Sequence, residues 1–513
     1  MKPLNKKLSP ILIMAFAMAI LGCSDQLDAP QENNNFAGGT DFTKTEDMKL
    51  SIIGVYAAFH SRGWEQPLLI SVRGDDVNAG GLGDQQQFTD TDLFNYDKDY
   101  WMYNSLWENM YVDVITAHTA MEQITRYQEF ANEAGQAEGD QYIAEAKVLR
   151  AIMLFHISQV WGGVFIPRNS DPNELLDLTE VPTQAEVMQH LSDQMDEAIP
   201  FLPDLRPNER QDLPGGVTKY TALAIKALAN QELENYEAVA DATGQIINSG
   251  KFSLYPDFYE LFKTPGKLSD ESILDLQYSD FGQGEGDREG HLYAPYGPQN
   301  WTPAVEGSSS GWGFYEPSQK FIKFMLDRGE TVRLETSVLF TDRGITELRT
   351  DPAYQDLPSF VSNTTRDGDI INDYPRALFA SGKHYLPSNQ LIPGRTSYGS
   401  NKNYNVLRYG EVLLMYAEAV AQGAAPTSIS ADAAVNLVRE RANMPPLSGV
   451  NLDEIIDEKF AELGMEWGKR YFDLIRLGRY DELNYDGRTF SENLKFLPYP
   501  QPQVDRFPIL EAN

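Results

Sequence analysis

Apolar residues along this chain recur mainly at helical spacing. In 47–60, Ile52, Val55, Tyr56 and Phe59 fall on one face. In 100–127, Tyr103, Trp107 and Tyr111 do the same. The stretch 141–160 carries two adjacent rows, Val148/Ile152/Phe155 and Leu149/Met153/His156. Near the end, Ile455, Ile456, Phe460, Leu463 and Trp467 mark a helix over 451–467, which Gly468 stops by taking a left-handed cap. A second amphipathic turn follows, with Tyr471, Phe472, Leu474 and Ile475 apolar and Arg470, Asp473 and Arg476 charged.

Two stretches read as helix pairs. The first joins 217–229 to 236–248, with Ala222, Ala229 and Ala242 letting the helices approach closely. Its length matches a tetratricopeptide unit of about 34 residues. The second joins 406–421 to 431–442. Such pairs stack into solenoids whose helices build scaffold and whose loops build sites. The expected fold class is therefore all-α, a tetratricopeptide-like helical-repeat scaffold with long irregular loops. Glu458 and Glu462 lie one turn apart upstream of Arg470 and Arg476. Glu/Arg groups among aromatics predict a buried ion network that sets geometry more than it adds stability.

Periodicity breaks in two places. The stretch 72–83 is glycine-rich and holds Asp75, Asp76 and Asn78, acceptors suited to a ligand's hydroxyls or to the turn itself. The longer 279–318 is rich in Gly, Pro and Ser yet carries Tyr293, Tyr296, Trp301, Trp312, Phe314 and Tyr315. Disordered segments lack aromatics, so this loop reads as functional. Trp101, Trp107, Trp161 and Trp467 lie on or beside helical stripes and read as packing; Trp64, Trp301 and Trp312 lie in irregular segments.

The N-terminus changes the picture. Lys2, Lys6 and Lys7 precede an apolar run from Ile11 to Leu21, too short to span a bilayer but suited to a secretory signal. It ends Ile20-Leu21-Gly22-Cys23, which resembles a bacterial lipobox with Cys23 as the acylated first residue of the mature chain. Cys23 is the single cysteine of 513 residues, so no disulfide framework exists. The formal charge of −33 carries no basic nucleic-acid footprint and disfavours polyanionic ligands. No zinc, Walker or calcium motif is present, and no cofactor motif. Asn95, Asp97 and Asp99 alternate, but Tyr100 stands where a calcium loop needs glycine. Gly307-Ser308-Ser309-Ser310-Gly311 matches a nucleophile elbow only formally. His156 has no metal-spaced partner and reads as a core histidine.

Five motifs in order resemble the RagB/SusD family of Bacteroidetes surface lipoproteins. The C-terminal signature E-x-x-x-E-L-x-x-E-G-x-R-x-x-D-L-x-R-x-G is carried by Glu458, Glu462, Leu463, Glu466, Arg470, Asp473, Leu474, Arg476 and Gly478. Its inner glycine is displaced to Gly468 by Trp467. Residues 144–151 resemble A-E-x-R-x-L-R-A with Lys147 for arginine; 408–419 resemble R-Y-x-E-x-L-L-x-Y-A-E-A. Asn436, Arg439 and Arg441 match N-x-x-R-x-R, and Pro317-Ser318-Gln319 a helix start.

The resemblance implies a non-catalytic protein on the outer face of the outer membrane. It would deliver oligosaccharide or polysaccharide to a SusC-like TonB-dependent transporter, with a lipid anchor at Cys23. An oligopeptide-binding component and a surface glycoside hydrolase or esterase are the competing readings. The chain divides into signal (1–22), tether (23–45), N-terminal helical region (46–250), loop-rich ligand-binding region (251–405) and C-terminal helical region (406–513). A sugar ring is held by flat aromatic surfaces and a polar rim. Trp301, Trp312, Tyr293 and Tyr296, with Trp64, are the expected surface; Asp75, Asp76, Asn78, Arg395 and Tyr398 are the expected rim. The competing reading of these rings is that they pin a long loop to the body.

Overall fold

A computed structural model describes residues 40–60, 71–81, 86–278, 292–391 and 401–512. Cys23, Trp64, Arg395 and Tyr398 lie outside the described residues. The body is a layer of antiparallel helices, as the pattern predicts. In order, the main ones are α1 (Met48–His60), α2 (Trp101–Gln128), α3 (Glu133–Trp161), α4 (Gln184–Ala198), α5 (Lys219–Glu232) and α6 (Tyr236–Asn248). Later come α7 (Gln319–Asp327), α8 (Tyr409–Ala421), α9 (Ala431–Arg441), α10 (Leu452–Leu463) and α11 (Lys469–Arg476). Each of α2 to α5 packs on the next, α6 on α8, and α8 on both α9 and α10. One apolar core runs through this stack.

Local chemistry sets the helix starts. Thr183 and Glu186 form a capping box on α4, and Asn451 and Glu454 another on α10. Asn235 caps α6, Ser318 α7 and Ser430 α9. Two two-stranded antiparallel pairs tie the loop-rich part to the helical regions, Val77–Ala79 with Tyr315–Pro317 and Ser272–Leu276 with Tyr404–Arg408; two more lie within it, Trp301–Thr302 with Ile370–Ile371 and Val338–Phe340 with Phe379–Ser381.

The structure departs from the pattern in three places. Val406 and Leu407 belong to a strand, and the helix expected from 406 begins at Tyr409. A buried strand and a buried helix both read as an apolar run, so periodicity cannot separate them. The helix expected over 451–467 ends at Leu463, because Gly464 already has φ −51°, ψ 140°. Met465, Trp467 and Gly468 then take positive φ, which turns Glu466 back toward the core. A side chain at 464 would strike the Phe321 ring, 2.6 Å from the place of its Cβ. Trp101, expected to pack, is 52 % exposed at the start of α2. Trp107, Trp161 and Trp467 are buried as expected; His156 is buried and stacks on Trp467 at 5.8 Å.

The expected ion network is present and larger than Glu458, Glu462 and two arginines. Glu458 accepts from Arg333 at 2.7 Å and from Arg328 and Arg439 at 2.6 Å. Glu462 takes Arg408 at 2.6 Å, Arg333 at 3.3 Å and Arg441. Glu466 pairs with Arg408 at 2.9 Å and Lys383 at 2.7 Å. Burial alone would raise the Glu462 carboxyl, but Arg441, Arg408 and Arg333 together hold it at about 2. Arg470, expected in this network, instead bonds Asp75 at 2.8 Å; Arg476 serves Glu418 and Asp473.

Removing one member leaves charges buried and unpaired. Glu462→Gln should therefore lower unfolding stability by roughly 3–5 kcal/mol, measured by denaturant titration. A variant that unfolds at the wild-type midpoint would show that the network is not needed.

Candidate functional site

The 297–314 loop leaves a short helix, Tyr293–Tyr296, and returns beside it. Its neck is stitched by main-chain bonds: Gly311 to Pro298 at 2.8 Å, Gly313 to Gly297 at 2.9 Å, and Phe314 to Pro295 at 2.9 Å. The strands touch so closely that a Cβ on Gly311 would lie 2.6 Å from the Gly297 backbone. The result is an Ω-type loop held by its own base.

Within it the four expected rings separate. Trp301 is only 8 % exposed and faces inward, edge-on to Tyr385 at 5.9 Å and tilted on Tyr293 at 6.2 Å. Leu339, Ile371 and Ala380 complete this satellite core. Tyr296 is fully buried, stacked on His384 at 3.9 Å. Trp301, Tyr293 and Tyr296 thus pin the loop to the body and are corrected from ligand surface to packing. Apolar rings in a loop are drawn to the nearest core as readily as to a ligand.

Trp312 is the exception. It is half-buried near the loop's end, 5.3 Å from the Phe314 ring. The Arg376 guanidinium lies over Phe314 at 4.3 Å. Trp312, Phe314 and Arg376, all half-buried, bring two aromatic rings and a guanidinium together at the end of the loop. Beyond it stand Asn300, bonded to the Asp373 carbonyl, and Asn372, bonded to Thr302. Arg376 carried no sequence signal: it stands in an aperiodic stretch and matches no motif.

The acidic cluster is likewise corrected. Asp75 is wholly buried, held by Arg470 at 2.8 Å and Lys320 at 2.7 Å. Burial would raise its carboxyl, but these two cations keep it below the usual carboxylate range. Asp76 accepts the Met465 amide at 2.7 Å, and burial pushes it up to about 6. The Asn78 side-chain oxygen accepts from Arg488 at 2.9 Å and Tyr485 at 3.0 Å. All three clamp the 71–81 segment to the C-terminal region.

One arrangement has the look of hydrolytic chemistry. The Ser381 hydroxyl lies 2.7 Å from His384 Nδ1. Both are buried, and the His384 ring sits between Tyr296 and Tyr404, where burial lowers its pKa far below the ordinary value. The Gly307–Gly311 match lies in loop with no helix directly after it. Among the described residues no group of His, Cys, Asp and Glu is placed to hold a metal ion, and no helix is long and apolar enough to cross a membrane.

Because Trp301 is core, Trp301→Ala should lower stability by roughly 3–5 kcal/mol. Calorimetric melting checks it; an unchanged melting temperature would return Trp301 to the ligand surface.

Comparison with known proteins agrees with this architecture. Residues 270–495 match the family model described as the SusD family, and residues 51–227 match that described as starch-binding associating with outer membrane. A SusD-like protein of Formosa agariphila is 26% identical over 97% of this chain and 97% of its own length. Two solved structures share the fold. Surface glycan-binding protein A from Bacteroides thetaiotaomicron, in complex with laminarihexaose, has TM-score 0.71 and 24% identity, covering 90% of this chain and 97% of that one. A laminarin-binding SusD-like protein has TM-score 0.73 and 20% identity, again over 90% and 97%.

Proposed function

Because the chain belongs to the SusD family, we propose that it is a non-catalytic lipoprotein of the outer-membrane surface that captures a glycan and passes it to a TonB-dependent transporter. The observation that carries the glycan reading is the Trp312 face. A half-buried indole on a closed loop, next to Phe314 and Arg376, offers a preformed flat surface with a polar border. Trp64, Arg395 and Tyr398 are proposed to complete it. The laminarihexaose and laminarin bound by the structural neighbours make neutral β-glucan oligosaccharides the first ligands to try. The net charge of −33 also favours neutral over polyanionic chains.

A stacked aromatic contributes on the order of 1 kcal/mol beyond its buried area. Trp312→Ala should therefore weaken laminarihexaose binding about five- to tenfold in titration calorimetry, with an unchanged melting temperature. Wild-type protein that ignores laminarihexaose and related neutral glycans, or a Trp312→Ala protein that binds as tightly as wild type, would overturn the reading.

The anchor is tested separately. Cys23→Ala should leave the protein unacylated and move it out of the membrane fraction, since acyl chains supply the attachment. Full membrane retention of that variant would refute the lipid anchor.

A further inference from the structure

The segment 381–388 is buried at every position and lies directly against the base of the candidate loop. Its Tyr385 ring stands edge-on to Trp301. Its Ser388 hydroxyl oxygen accepts from the Val305 amide at 3.0 Å. Asp369 bonds the Tyr385 hydroxyl and the Ser388 amide, and also accepts from the Ala304 amide at 2.7 Å. Whatever fixes this segment therefore fixes the first turn of the loop.

Two ammonium groups fix it from within. Lys263 Nζ donates to the carbonyls of Gly382 at 2.6 Å and Tyr385 at 2.8 Å. Lys402 Nζ donates to the Lys383 carbonyl at 2.6 Å. Lys263 is 1 % exposed and Lys402 1 %. Both end on main-chain oxygen and an aromatic ring: Tyr259 and Tyr385 for Lys263, Tyr404 for Lys402. Lys383 by contrast runs to the Glu466 carboxylate, which joins the segment to the ion network.

Among the described residues neither ammonium is paired with a carboxylate; such a buried cation is a poor stabiliser, and an apolar side chain of the same length would fill the space at less desolvation cost. Burial lowers Lys263 to about 7 and Lys402 well below the ordinary lysine value. The two ammonium groups do what a methyl group cannot, gripping successive carbonyls of one turn from two separate segments.

We infer that Lys263 and Lys402 are positioning residues for the glycan face. They lock 381–388, which through Tyr385, Ser388 and Asp369 holds residues 301–305, and through the His384 ring stacked on Tyr296 holds the short helix whose Ala294 and Pro295 carbonyls accept from the Trp312 and Phe314 amides, so that Trp312 keeps the orientation a saccharide ring stacks on. This rests on the reading of Trp312 given above. The gain is preorganisation: an ordered loop loses less freedom on binding.

The test uses the full chain and the variants Lys263→Met, Lys402→Met and Lys263→Arg, which keeps the donors. Amide hydrogen exchange at Ala304, Val305 and Trp312 is followed without ligand, and laminarihexaose affinity by calorimetry. The methionine variants should melt cooperatively, exchange those amides at least about tenfold faster and bind about tenfold more weakly. Lys263→Arg should recover both properties. Unchanged exchange and affinity in the methionine variants would overturn the proposal. So would loss of cooperative melting in both, which would make the lysines folding residues. Faster exchange together with a Trp312→Ala protein of unchanged affinity would refute the glycan reading, and the inference with it.

Discussion

Three carboxylates on and just beyond α10 need partners from distant parts of the chain. Arg333 lies 125 residues before Glu458, and Arg408 lies 54 before Glu462. Glu271 joins through Arg408, 137 residues away. A buried carboxylate without its guanidinium is strongly destabilising. The network is therefore satisfied only when the helical layer, the strand at 404–408 and the loop-rich part are all docked. It makes one cooperative unit of a chain long enough for several. The clamps at Asp75, Glu418 and Asp92 repeat the device, each closing a sequence gap through arginine.

Much of this was legible in the sequence. Helical spacing located α2 and α6 closely, because their apolar stripes are long and face one core, but for α3 it found only the end: the helix expected from 141 begins at Glu133, in a polar first part without a stripe. The clustering of Glu458 and Glu462 with arginines announced a network. What remained hidden were its long-range members. Nothing local to Arg333 or Lys383 says that their partners, Glu458 and Glu466, lie on or just beyond α10. The end of α10 was also hidden. Trp467 continues the apolar stripe by spacing alone, whereas tertiary demands on Glu466 and on the Met465 amide turn the backbone four residues earlier.

The candidate site was legible as a region more than as residues. An aromatic-rich, glycine-rich stretch pointed to 279–318, of which the described part, 292–318, holds Trp301 and Trp312. Which rings turn inward depends on where the satellite core sits, and that core is made of Leu339, Ile371 and Tyr385 from elsewhere in the chain. Trp301 and Trp312, eleven positions apart, look alike in sequence and end in opposite environments. Asp75 and Asp76 mislead for a related reason: acidic residues beside glycine suit a polar turn, and the Arg470 guanidinium on Asp75 and the Met465 amide on Asp76 come from the far end of the chain.

The paired glycines at the neck of the 297–314 loop have an evolutionary consequence. Gly297 and Gly311 let the two ends of the loop meet through backbone atoms alone. Closure of this kind does not read the side chains of the excursion between them, and lengthening a closed loop carries only a slow entropic penalty. Residues 306–310 can therefore drift or be exchanged while the neck, the Ala304 and Val305 amides held by Asp369 and Ser388, and the helical body stay constant. One scaffold can in this way be retuned for new partners by exchange of a single short loop segment.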